Sequence, residues 1–503
     1  MLYSPIAMGR RGPFSPLRMI SLLLLLSAVI LLTLQLVRFS RLRSTLPEGM
    51  RIGGVPVSGL DRQAAAQRLL EAYTATPVEL HYGDSMIQID PAVAEFKLDL
   101  ESMLAAAELN RSEQSFWVDF WNFLWGRTTP PADIPLRSSF SEARLRTYLR
   151  DEIAARYDQP PLPSIPAVGT VNFQPGKQGT VLDIDQSIPL IESAFQSISN
   201  RVVDLPLGRT DPPRPSFQNL EILLKQTVDL SEFDGLVGLY MLDLNTADEI
   251  HFAYQQGQDY PTNPDIAFTA ASIIKIPIMV STFRRLGEIP DQETIKLLEE
   301  MIEKSGNDPA DWVMERVIDP NIAPIEVTND LHALGLESTF LAGQFFPGAP
   351  LLASFETPAN TRGDINTDPD IYNQTTPSEI GMLLEDIYQC NQSGGGTLMA
   401  VFPGDFTQRE CQTMLTYLTR NNLGLLIEAG VPDGTEVAHK HGWVTYFGVM
   451  NTLGDAGIVY SPGGNYVLVI FLYKPGELIW DPASELVASL SQAVYNYFNY
   501  PSP

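Results

Sequence analysis

The longest apolar run of the sequence covers residues 19–37, and no charged side chain interrupts it. At about 1.5 Å per residue, a helix of this length nearly matches a hydrocarbon core of about 30 Å. A buried core helix fits the run poorly, because such helices in globular proteins usually keep a polar face for water. The pattern therefore predicts a membrane-spanning helix over residues 19–37.

Arginines lie on both sides of this run. Three precede it and three follow it: Arg10, Arg11, Arg18, Arg38, Arg41 and Arg43. A cleaved signal peptide usually has a shorter apolar region followed by small residues, so the sequence favours an uncleaved anchor. The equal numbers of arginines leave the orientation open under the positive-inside rule.

Residues 46–210 alternate between short β-like and helical patterns. A glycine-rich stretch from Arg51 gives way to an alanine- and leucine-rich helix that begins near Asp61, a residue suited to the N-cap. The residues around Gly83 predict a hairpin. FKLDLESMLAAA, from Phe96, is echoed by TVLDIDQSIPLIESAF, and each places a strand-like Leu-Asp pair before a helix. We expect an α+β domain with two related lobes.

The segment SFWVDFWNFLWG, from Ser115, is rich in aromatic side chains. Aromatic residues at helical spacing more often belong to a core. Tryptophan and phenylalanine also favour the membrane interface, and the predicted anchor is near in sequence. The sequence leaves open whether this segment packs in the core, contacts a partner or contacts the membrane.

A proline-rich stretch, GRTDPPRPS from Gly208, interrupts both the helical and the strand-like periodicity of hydrophobic residues. It predicts a domain boundary. Beyond it, GLVGLYMLDLNT from Gly235 has the pattern of a buried strand that turns at Asn245. The chain then reaches AFTAASIIKIPIMVSTF, where Ser272 and Lys275 are three residues apart. On a helix, this spacing places the two side chains on one face within hydrogen-bond reach.

Composition indicates folded domains and excludes several classes of function. The 503 residues are 44% hydrophobic and 18% charged, and the formal net charge of -27 repels a phosphate backbone. We therefore expect no nucleic-acid partner. His439 and His441 alone make a poor metal site, so we predict no metal and no cofactor. Cys390 and Cys411 either pair in an oxidising compartment or remain buried thiols.

Ser272 and Lys275 combine a nucleophile with a base. A serine hydroxyl is a weak nucleophile at neutral pH, and a lysine whose pKa is lowered by desolvation can take its proton. A helix N-terminus at Ser272 adds backbone N–H groups aimed at a developing oxyanion. The pair alone is common by chance, but the tripeptides SGN from Ser305 and KHG from Lys440 follow it in the chain.

These three motifs, in this order, resemble those of class A-like members of the serine β-lactamase and penicillin-binding-protein superfamily: Ser-x-x-Lys, Ser-Asp-Asn and Lys-Thr-Gly. The resemblance covers roughly residues 218–503 and implies an α/β (α+β) fold in which helices flank an antiparallel sheet. It implies that Ser272 is the acylated nucleophile and Lys275 its base. It also implies that Ser305 relays a proton to the leaving nitrogen and that Asn307 binds the substrate amide.

The same resemblance implies a substrate-binding strand. Lys440 keeps positive the region that receives a substrate carboxylate, and His441 and Gly442 lie beside it. A glycine there lets a substrate lie against the strand edge. The oxyanion hole is expected to consist of the backbone N–H groups of Ser272 and Trp443.

Deacylation and two departures from the motifs affect the predicted activity. Glu356 precedes Asn360 with the spacing of the glutamate that activates water in class A β-lactamases, but the polar, turn-rich sequence that follows favours a solvated loop carboxylate. Gly306 replaces the aspartate of the second motif, and His441 replaces the threonine of the third. Both departures weaken the prediction of activity.

Residues 46–210 resemble the peptidoglycan-binding repeat that accompanies vancomycin-resistance W-type proteins. The resemblance rests on GMRIGGVPVSGLDRQAA, FKLDLESML and FQPGKQGTVLDIDQS, and it contains no catalytic signature. It implies a cell-envelope module with peptidoglycan as its partner.

Together these observations predict a single-pass protein of the cell membrane. Residues 1–18 form a cytoplasmic tail, residues 19–37 the anchor, and the domains 46–210 and 218–503 lie on the extracytoplasmic side. The second domain is a β-lactamase-like serine hydrolase that acts through an acyl-enzyme on β-lactams or related cell-wall peptides. The alternatives are a D-alanyl carboxypeptidase or penicillin-binding-type enzyme, and a non-catalytic peptidoglycan-binding envelope protein.

Overall fold

The computed structural model describes residues 16–112, 115–127, 133–260, 263–287, 290–421, 423–446 and 448–501. The chain divides into two compact units. The N-terminal unit is Met1–Pro161 with Gln178–Asp211, and the C-terminal unit is Leu162–Lys177 with Pro212–Pro503.

The described residues form α-helices with these bounds: α1 Pro16–Leu42, α2 Arg62–Tyr73, α3 Leu100–Ser112, α4 Phe116–Leu124, α5 Glu142–Tyr148, α6 Ala155–Tyr157, α7 Ile184–Phe195, α8 Phe217–Leu230, α9 Lys275–Arg285, α10 Gln292–Ile302, α11 Asn307–Val313, α12 Ala323–Ala333, α13 Pro377–Ser393, α14 Thr397–Val401, α15 Gln408–Thr419 and α16 Trp480–Phe498. Shorter 3-10 or π-helical turns are Pro91–Ala94, Leu149–Ala154, Ala271–Ile274, Met314–Ile318 and Glu428–Gly430.

The strands of the described residues have these bounds: β1 Arg51–Ile52, β2 Val55–Pro56, β3 Val78–Tyr82, β4 Ser85–Ile89, β5 Lys97–Leu98, β6 Asp133–Ile134, β7 Ser138–Ser139, β8 Ile165–Pro166, β9 Phe173–Gln174, β10 Gly179–Leu182, β11 Val202–Asp204, β12 Leu207–Thr210, β13 Leu236–Asp243, β14 Glu249–Gln255, β15 Gln258–Asp259, β16 Phe268–Thr269, β17 Phe340–Leu341, β18 Asn373–Thr375, β19 Glu436–Tyr446, β20 Val449–Tyr460 and β21 Tyr466–Tyr473.

Helix α1 contains the predicted anchor. Residues 19–42 have a mean hydropathy of 2.6, and none of the most apolar window is buried. By length and composition this helix is able to cross a membrane. Of the predicted tail, residues 1–15 lie outside the described residues, and residues 16–18 already belong to α1.

The N-terminal unit mixes short strands and helices around one buried core, which extends from Leu46 to Leu205. The predicted N-cap at Asp61 is confirmed, since its carboxylate accepts the Ala64 N–H. The predicted hairpin at Gly83 is also confirmed by the pairing of β3 with β4. The two echoed Leu-Asp segments each place a strand before a helix, as β5–α3 and β10–α7.

The C-terminal unit is built on a six-stranded antiparallel sheet of the described residues, in the order β15-β14-β13-β21-β20-β19. Alternate side chains of β13 enter two separate cores. The core on one face includes α9, α10, α13 and α15, and the core on the other includes α8 and α16. The predicted fold class is confirmed: an α+β unit comes first in the sequence, and a unit with an antiparallel sheet flanked by helices follows it.

A hairpin formed by β8 and β9 belongs to the C-terminal unit although it lies within the sequence predicted for the N-terminal domain. Phe173 is buried in the core of α8 and α16, and its ring lies 6.0 Å from that of Tyr500. Ser164 Oγ donates a hydrogen bond to Tyr500 Oη at 2.9 Å. The side-chain amide of Asn219, on α8, donates to the Ser164 carbonyl at 2.7 Å.

Cys390 on α13 and Cys411 on α15 form a disulfide bond, which decides the alternative that the sequence left open. The bond closes a sequence separation of 21 residues and joins two helices that pack in the same core. Such a crosslink stabilises a fold mainly by restricting the unfolded chain.

Candidate active site

The backbone around Ser272 is a tight turn that leads into α9. Residues Ala271–Ile274 form a 3-10 turn, and Lys275 begins the α-helix. Ala271 has a φ of +50°, a left-handed conformation that is uncommon for a residue with a Cβ atom. Ser272 is half-buried at this strained turn, while Lys275 is fully buried. Strained backbone of this kind is concentrated at functional sites in proteins.

Lys275 connects the turn to the SGN segment. Its Nζ lies 3.0 Å from Ser272 Oγ, 2.8 Å from the Ser305 carbonyl oxygen and 2.8 Å from Asn307 Oδ1. Burial, with a smaller contribution from the positive charge of Lys440, lowers the pKa of Lys275 to about 7. A substantial fraction of this amine is therefore neutral at physiological pH and able to accept a proton.

The SGN segment sits between α10 and α11. Ser305 has a φ of +59°, and Asn307 is the first residue of α11. A Cβ atom at Gly306 would lie 2.8 Å from Pro309 Cγ and 3.3 Å from the Glu300 carbonyl oxygen. Pro309 and Glu300 therefore leave no room for a side chain at position 306. This explains why glycine stands where the second motif has aspartate.

Lys440 approaches the same segment from strand β19, at the edge of the sheet. Its Nζ donates to Ser305 Oγ at 2.9 Å and to the His441 carbonyl oxygen at 3.3 Å. Burial lowers its pKa to about 8, against the opposing effect of Asp455. The structure therefore places two buried lysines against Ser305: Lys275 contacts its carbonyl oxygen and also the hydroxyl of Ser272, while Lys440 contacts its hydroxyl.

Gly442 lies where β19 passes close to the turn that contains Ser272. A Cβ atom there would lie 2.8 Å from both the Ala270 carbonyl oxygen and the Ser272 nitrogen, and 3.0 Å from the Ile273 nitrogen. Any side chain would push the strand away from the turn. A glycine is required for the backbone of β19 to lie beside the N–H group of Ser272.

His441 and Trp443 pack together on the alternate positions of β19. Their rings stack at 5.0 Å with an interplanar angle of 20°, and Trp443 also contacts Trp480. Asn421 Nδ2 donates to His441 Nδ1 at 3.0 Å. Burial, reinforced by the charge of Lys440, lowers the pKa of His441 to about 3, so its ring is neutral at physiological pH. It adds no positive charge for a substrate carboxylate.

Glu356 is not brought into this cluster by any hydrogen bond among the described residues. Its side chain is exposed on the long segment between β17 and β18. The neighbouring Asn360 instead ties this segment to β18, since its Nδ2 donates to Gln374 Oε1 at 3.0 Å. The structure thus shows Glu356 as an exposed carboxylate on this segment.

Sequence reasoning missed the buried ion pair behind Lys440. His439 Nδ1 lies 3.0 Å from both carboxylate oxygens of Asp455, and both residues are fully buried. Burial opposes the charge of His439, but Asp455 and Glu428 outweigh it and raise its pKa to about 9. The sequence signal for this pair is Asp455 itself, the lone charged residue in the stretch NTLGDAGIVY.

Nothing in the sequence indicates the Phe345 ring that lies beside Lys275 or the carboxylate that holds the segment of Phe345 in place. Its Nζ lies 5.2 Å from the centre of the Phe345 ring, a distance at which a cation interacts with an aromatic face. Asp311, on α11, accepts the backbone N–H groups of Phe345 and Phe346 and so holds this segment in place. Within the described ranges, no group of three or more His, Cys, Asp or Glu side chains is arranged to hold a metal ion.

Comparison with known proteins found similarity to beta-lactamases. Residues 293–498 match the model of the beta-lactamase enzyme family, a stretch that includes Ser305 and Lys440 and begins after Lys275. A beta-lactamase of Bacillus licheniformis is 23% identical over 303 residues, which are 58% of this chain and 89% of that protein. A solved structure of PBP-A is 23% identical, with 58% of this chain and 99% of that chain covered and a TM-score of 0.39.

A further solved structure, a beta-lactamase from Desulfarculus baarsii, is 15% identical, with 56% of this chain and 99% of that chain covered and a TM-score of 0.40. The family match falls in the unit that contains the flanked antiparallel sheet and the Ser305–Lys440 contact. Residues 293–498 of the C-terminal unit are therefore similar to the beta-lactamase enzyme family.

Proposed function

We propose that the C-terminal domain is a serine hydrolase that forms an acyl-enzyme on Ser272 with β-lactams or related cell-wall peptides. The observation that supports this most directly is the 3.0 Å separation of Lys275 Nζ from Ser272 Oγ, with both groups at a strained turn. A nucleophile and a base within hydrogen-bond reach are the minimum requirement for acyl transfer.

Acylation uses Lys275 as the general base. Its neutral amine takes the proton of Ser272 Oγ, and Oγ forms a bond to the substrate carbonyl carbon. The backbone N–H groups of Ser272 and Trp443 stabilise the oxyanion of the tetrahedral intermediate. The C–N bond then breaks, the leaving nitrogen takes a proton from Ser305 Oγ, and Lys440 returns a proton to Ser305 through their 2.9 Å contact.

Substrate binding uses Lys440, Asn307 and the edge strand β19. Lys440 attracts the carboxylate that β-lactams and cell-wall peptides carry. This local positive charge matters because the chain as a whole has a formal net charge of -27. Asn307 contacts the substrate amide, and Gly442 lets the substrate backbone approach β19. His441 contributes by fixing this part of the strand through its stacking on Trp443 rather than by charge.

The location we propose is the outer face of the cell membrane. Helix α1 anchors the chain, and residues 46–210 bind peptidoglycan close to the substrate of the hydrolase. The Cys390–Cys411 disulfide supports an extracytoplasmic position, because such bonds persist in oxidising compartments.

The test is covalent labelling of the full chain, in detergent or in native membranes, with a fluorescent penicillin. We expect a label on Ser272, located by mass spectrometry, and no label on Ser272→Ala. Ser484→Ala, which alters a half-buried serine on α16, is the matched control and should label like the parent. Equal labelling of Ser272→Ala would exclude the nucleophile assignment, and an unlabelled parent would favour the non-catalytic envelope protein.

A second candidate, a penicillin-binding or D-alanyl carboxypeptidase-type enzyme, is favoured by the exposure of Glu356. Without a carboxylate that positions water beside the acyl group, the penicilloyl ester is expected to persist. We predict that Glu356→Gln leaves the half-life of the acyl-enzyme unchanged within a factor of about two, because this side chain acts as a solvated carboxylate.

The half-life is followed by the decay of the fluorescent label after excess penicillin is removed. Glu337→Gln, on another acidic side chain outside the cluster, is the control. Rapid turnover in the parent that is lost specifically in Glu356→Gln would contradict the prediction and identify a β-lactamase that deacylates through Glu356.

A further inference from the structure

Helix α4 presents a stripe of exposed tryptophans. Trp117 and Trp121 lie on α4, and Trp125 is the residue that directly follows it. The three are spaced at intervals of four residues, which places them on one side of the helix. Their exposed fractions are 68%, 61% and 72%. Large aromatic side chains are seldom left in water in such an ordered row, and the row indicates a surface that meets an apolar phase.

The opposite face of α4 holds the helix against the end of α1. The rings of Phe116, Phe120 and Phe123 all lie 5.3–5.4 Å from the ring of Phe39. Arg43 adds an ion pair with Asp119 at 3.6 Å. The phenylalanines of this segment therefore pack against α1, as a core segment would. The tryptophans are exposed and remain available for a partner or the membrane.

The contact with Phe39 fixes the depth of α4 relative to α1. The apolar run ends at Val37, and Phe39 lies two residues beyond it, about 3 Å along the helix axis. When α1 spans a bilayer, this level is the boundary between acyl chains and headgroups, where tryptophan side chains are most stable. Arg38 and Arg41 are exposed at the same level and attract anionic headgroups.

We propose that α4 is an interfacial helix whose tryptophan stripe, Trp117, Trp121 and Trp125, inserts into the membrane leaflet that contains the C-terminal end of α1. The inference rests on the membrane anchor proposed above and adds a second, monotopic contact to it. This contact holds the N-terminal unit at the membrane surface. An amphipathic helix with aromatic residues on its apolar face is suited to this position.

The test uses the full chain reconstituted into vesicles of phosphatidylcholine and phosphatidylglycerol, with bromine atoms near the glycerol end of the acyl chains. Bromine quenches tryptophan fluorescence only at contact distance. The chain has six tryptophans, three of them in this segment. We expect brominated vesicles to lower the emission by about a third to a half relative to unbrominated vesicles, given burial of this stripe in the interface.

The triple variant Trp117→Phe, Trp121→Phe, Trp125→Phe should lose most of this quenching. Trp312→Phe is the matched control, because Trp312 is also exposed but lies in the C-terminal unit, and it should retain the quenching. Unchanged quenching in the triple variant, or no quenching of a parent chain that floats with the vesicles, would overturn the proposal.

Two further outcomes are distinguishable. If the tryptophan emission shifts with protein density in the vesicles but is not quenched by bromine, the stripe binds a second copy of the chain and the proposal is wrong. If the parent does not float with the vesicles at all, the anchor and this inference fail together. Penicillin labelling of Ser272 is independent of both results.

Discussion

Substitution of Lys275 by methionine is expected to slow the acylation of Ser272 by penicillin about 10²–10⁴-fold, the usual contribution of a positioned general base. Lys275 is fully buried, and its Nζ lies 3.0 Å from the Ser272 hydroxyl, whose proton we propose that it accepts. Methionine fills a similar volume without placing a charge in the core, so the fold should persist. The measurement is the second-order rate of covalent labelling.

Lys304→Met is the matched control for this substitution. Lys304 is largely exposed and directly precedes Ser305, so its loss removes a positive charge near the site without removing the base. We expect it to label at nearly the parental rate. A Lys275→Met protein that labels as fast as the control would show that another group accepts the proton.

The pH profile of the parent gives an independent readout of the same role. Only the neutral amine accepts a proton, so the acylation rate should rise with pH through about 7, the pKa of Lys275. Because the charge of Lys440 helps to lower that pKa, Lys440→Met should move the rising limb to higher pH. If the rising part of the pH profile stayed at the same pH in Lys440→Met, the pH dependence of acylation would not come from Lys275.

Substitution of Asp455 by asparagine is expected to destabilise the C-terminal domain by about 3–5 kcal/mol, the typical cost of removing one partner of a buried ion pair. The two carboxylate oxygens of Asp455 lie 3.0 Å from His439 Nδ1, and one of them accepts the Ile427 N–H at 3.1 Å. Asparagine leaves His439 buried beside a neutral group. Thermal unfolding, followed by circular dichroism, measures the loss.

The pH dependence of this loss has a definite sign. The folded pKa of His439 is about 9 against an ordinary value of 6.5, so its pairing stabilises the fold fully below about 6.5 and the effect is lost as pH rises through 9. The difference in melting temperature between the parent and Asp455→Asn should therefore be large at pH 6 and smaller at pH 10.

Asp234→Asn is the matched control. Asp234 pairs with Lys474 at 2.7 Å on the surface of the same unit, and both side chains are exposed to solvent. Exposed ion pairs contribute little to stability, so the control should unfold close to the parent. If Asp455→Asn were as stable as Asp234→Asn at pH 6, the buried pair would not stabilise the domain.

The parts of the site that sequence predicts well are those that depend on local spacing. Ser272 and Lys275 are separated by one helical turn, so their contact follows from a pattern of four residues. Gly442 lies in a strand whose alternation is visible in the sequence. Asp61 likewise precedes its helix with the residue type that caps it.

The parts that sequence does not predict depend on the register between distant segments. Asp455 reaches His439 because β20 pairs with β19 so that His441 faces Asp455 across the ladder. A shift of one residue would send the carboxylate to the other face of the sheet. The exclusion of a side chain at Gly306 similarly depends on where Pro309 lies in three dimensions.

The aromatic segment shows a further limit of sequence reasoning. The spacing of Trp117, Trp121 and Trp125 defines one face of a helix, and the phenylalanines define another. Which face is covered depends on Phe39, which is more than seventy positions away from each of them and belongs to a different helix. Periodicity identified the amphipathic helix but not the surface that it covers.

The chain passes between the two units after Pro161, after Lys177 and after Asp211. A stretch of sequence that begins at Pro212 therefore lacks Phe173, which is buried in one of the two cores of the C-terminal unit, and Ser164, whose Oγ donates a hydrogen bond to Tyr500 Oη. The C-terminal unit is consequently not one contiguous piece of sequence that can be moved intact into another protein. A functional transplant has to bring the hairpin of β8 and β9 with it.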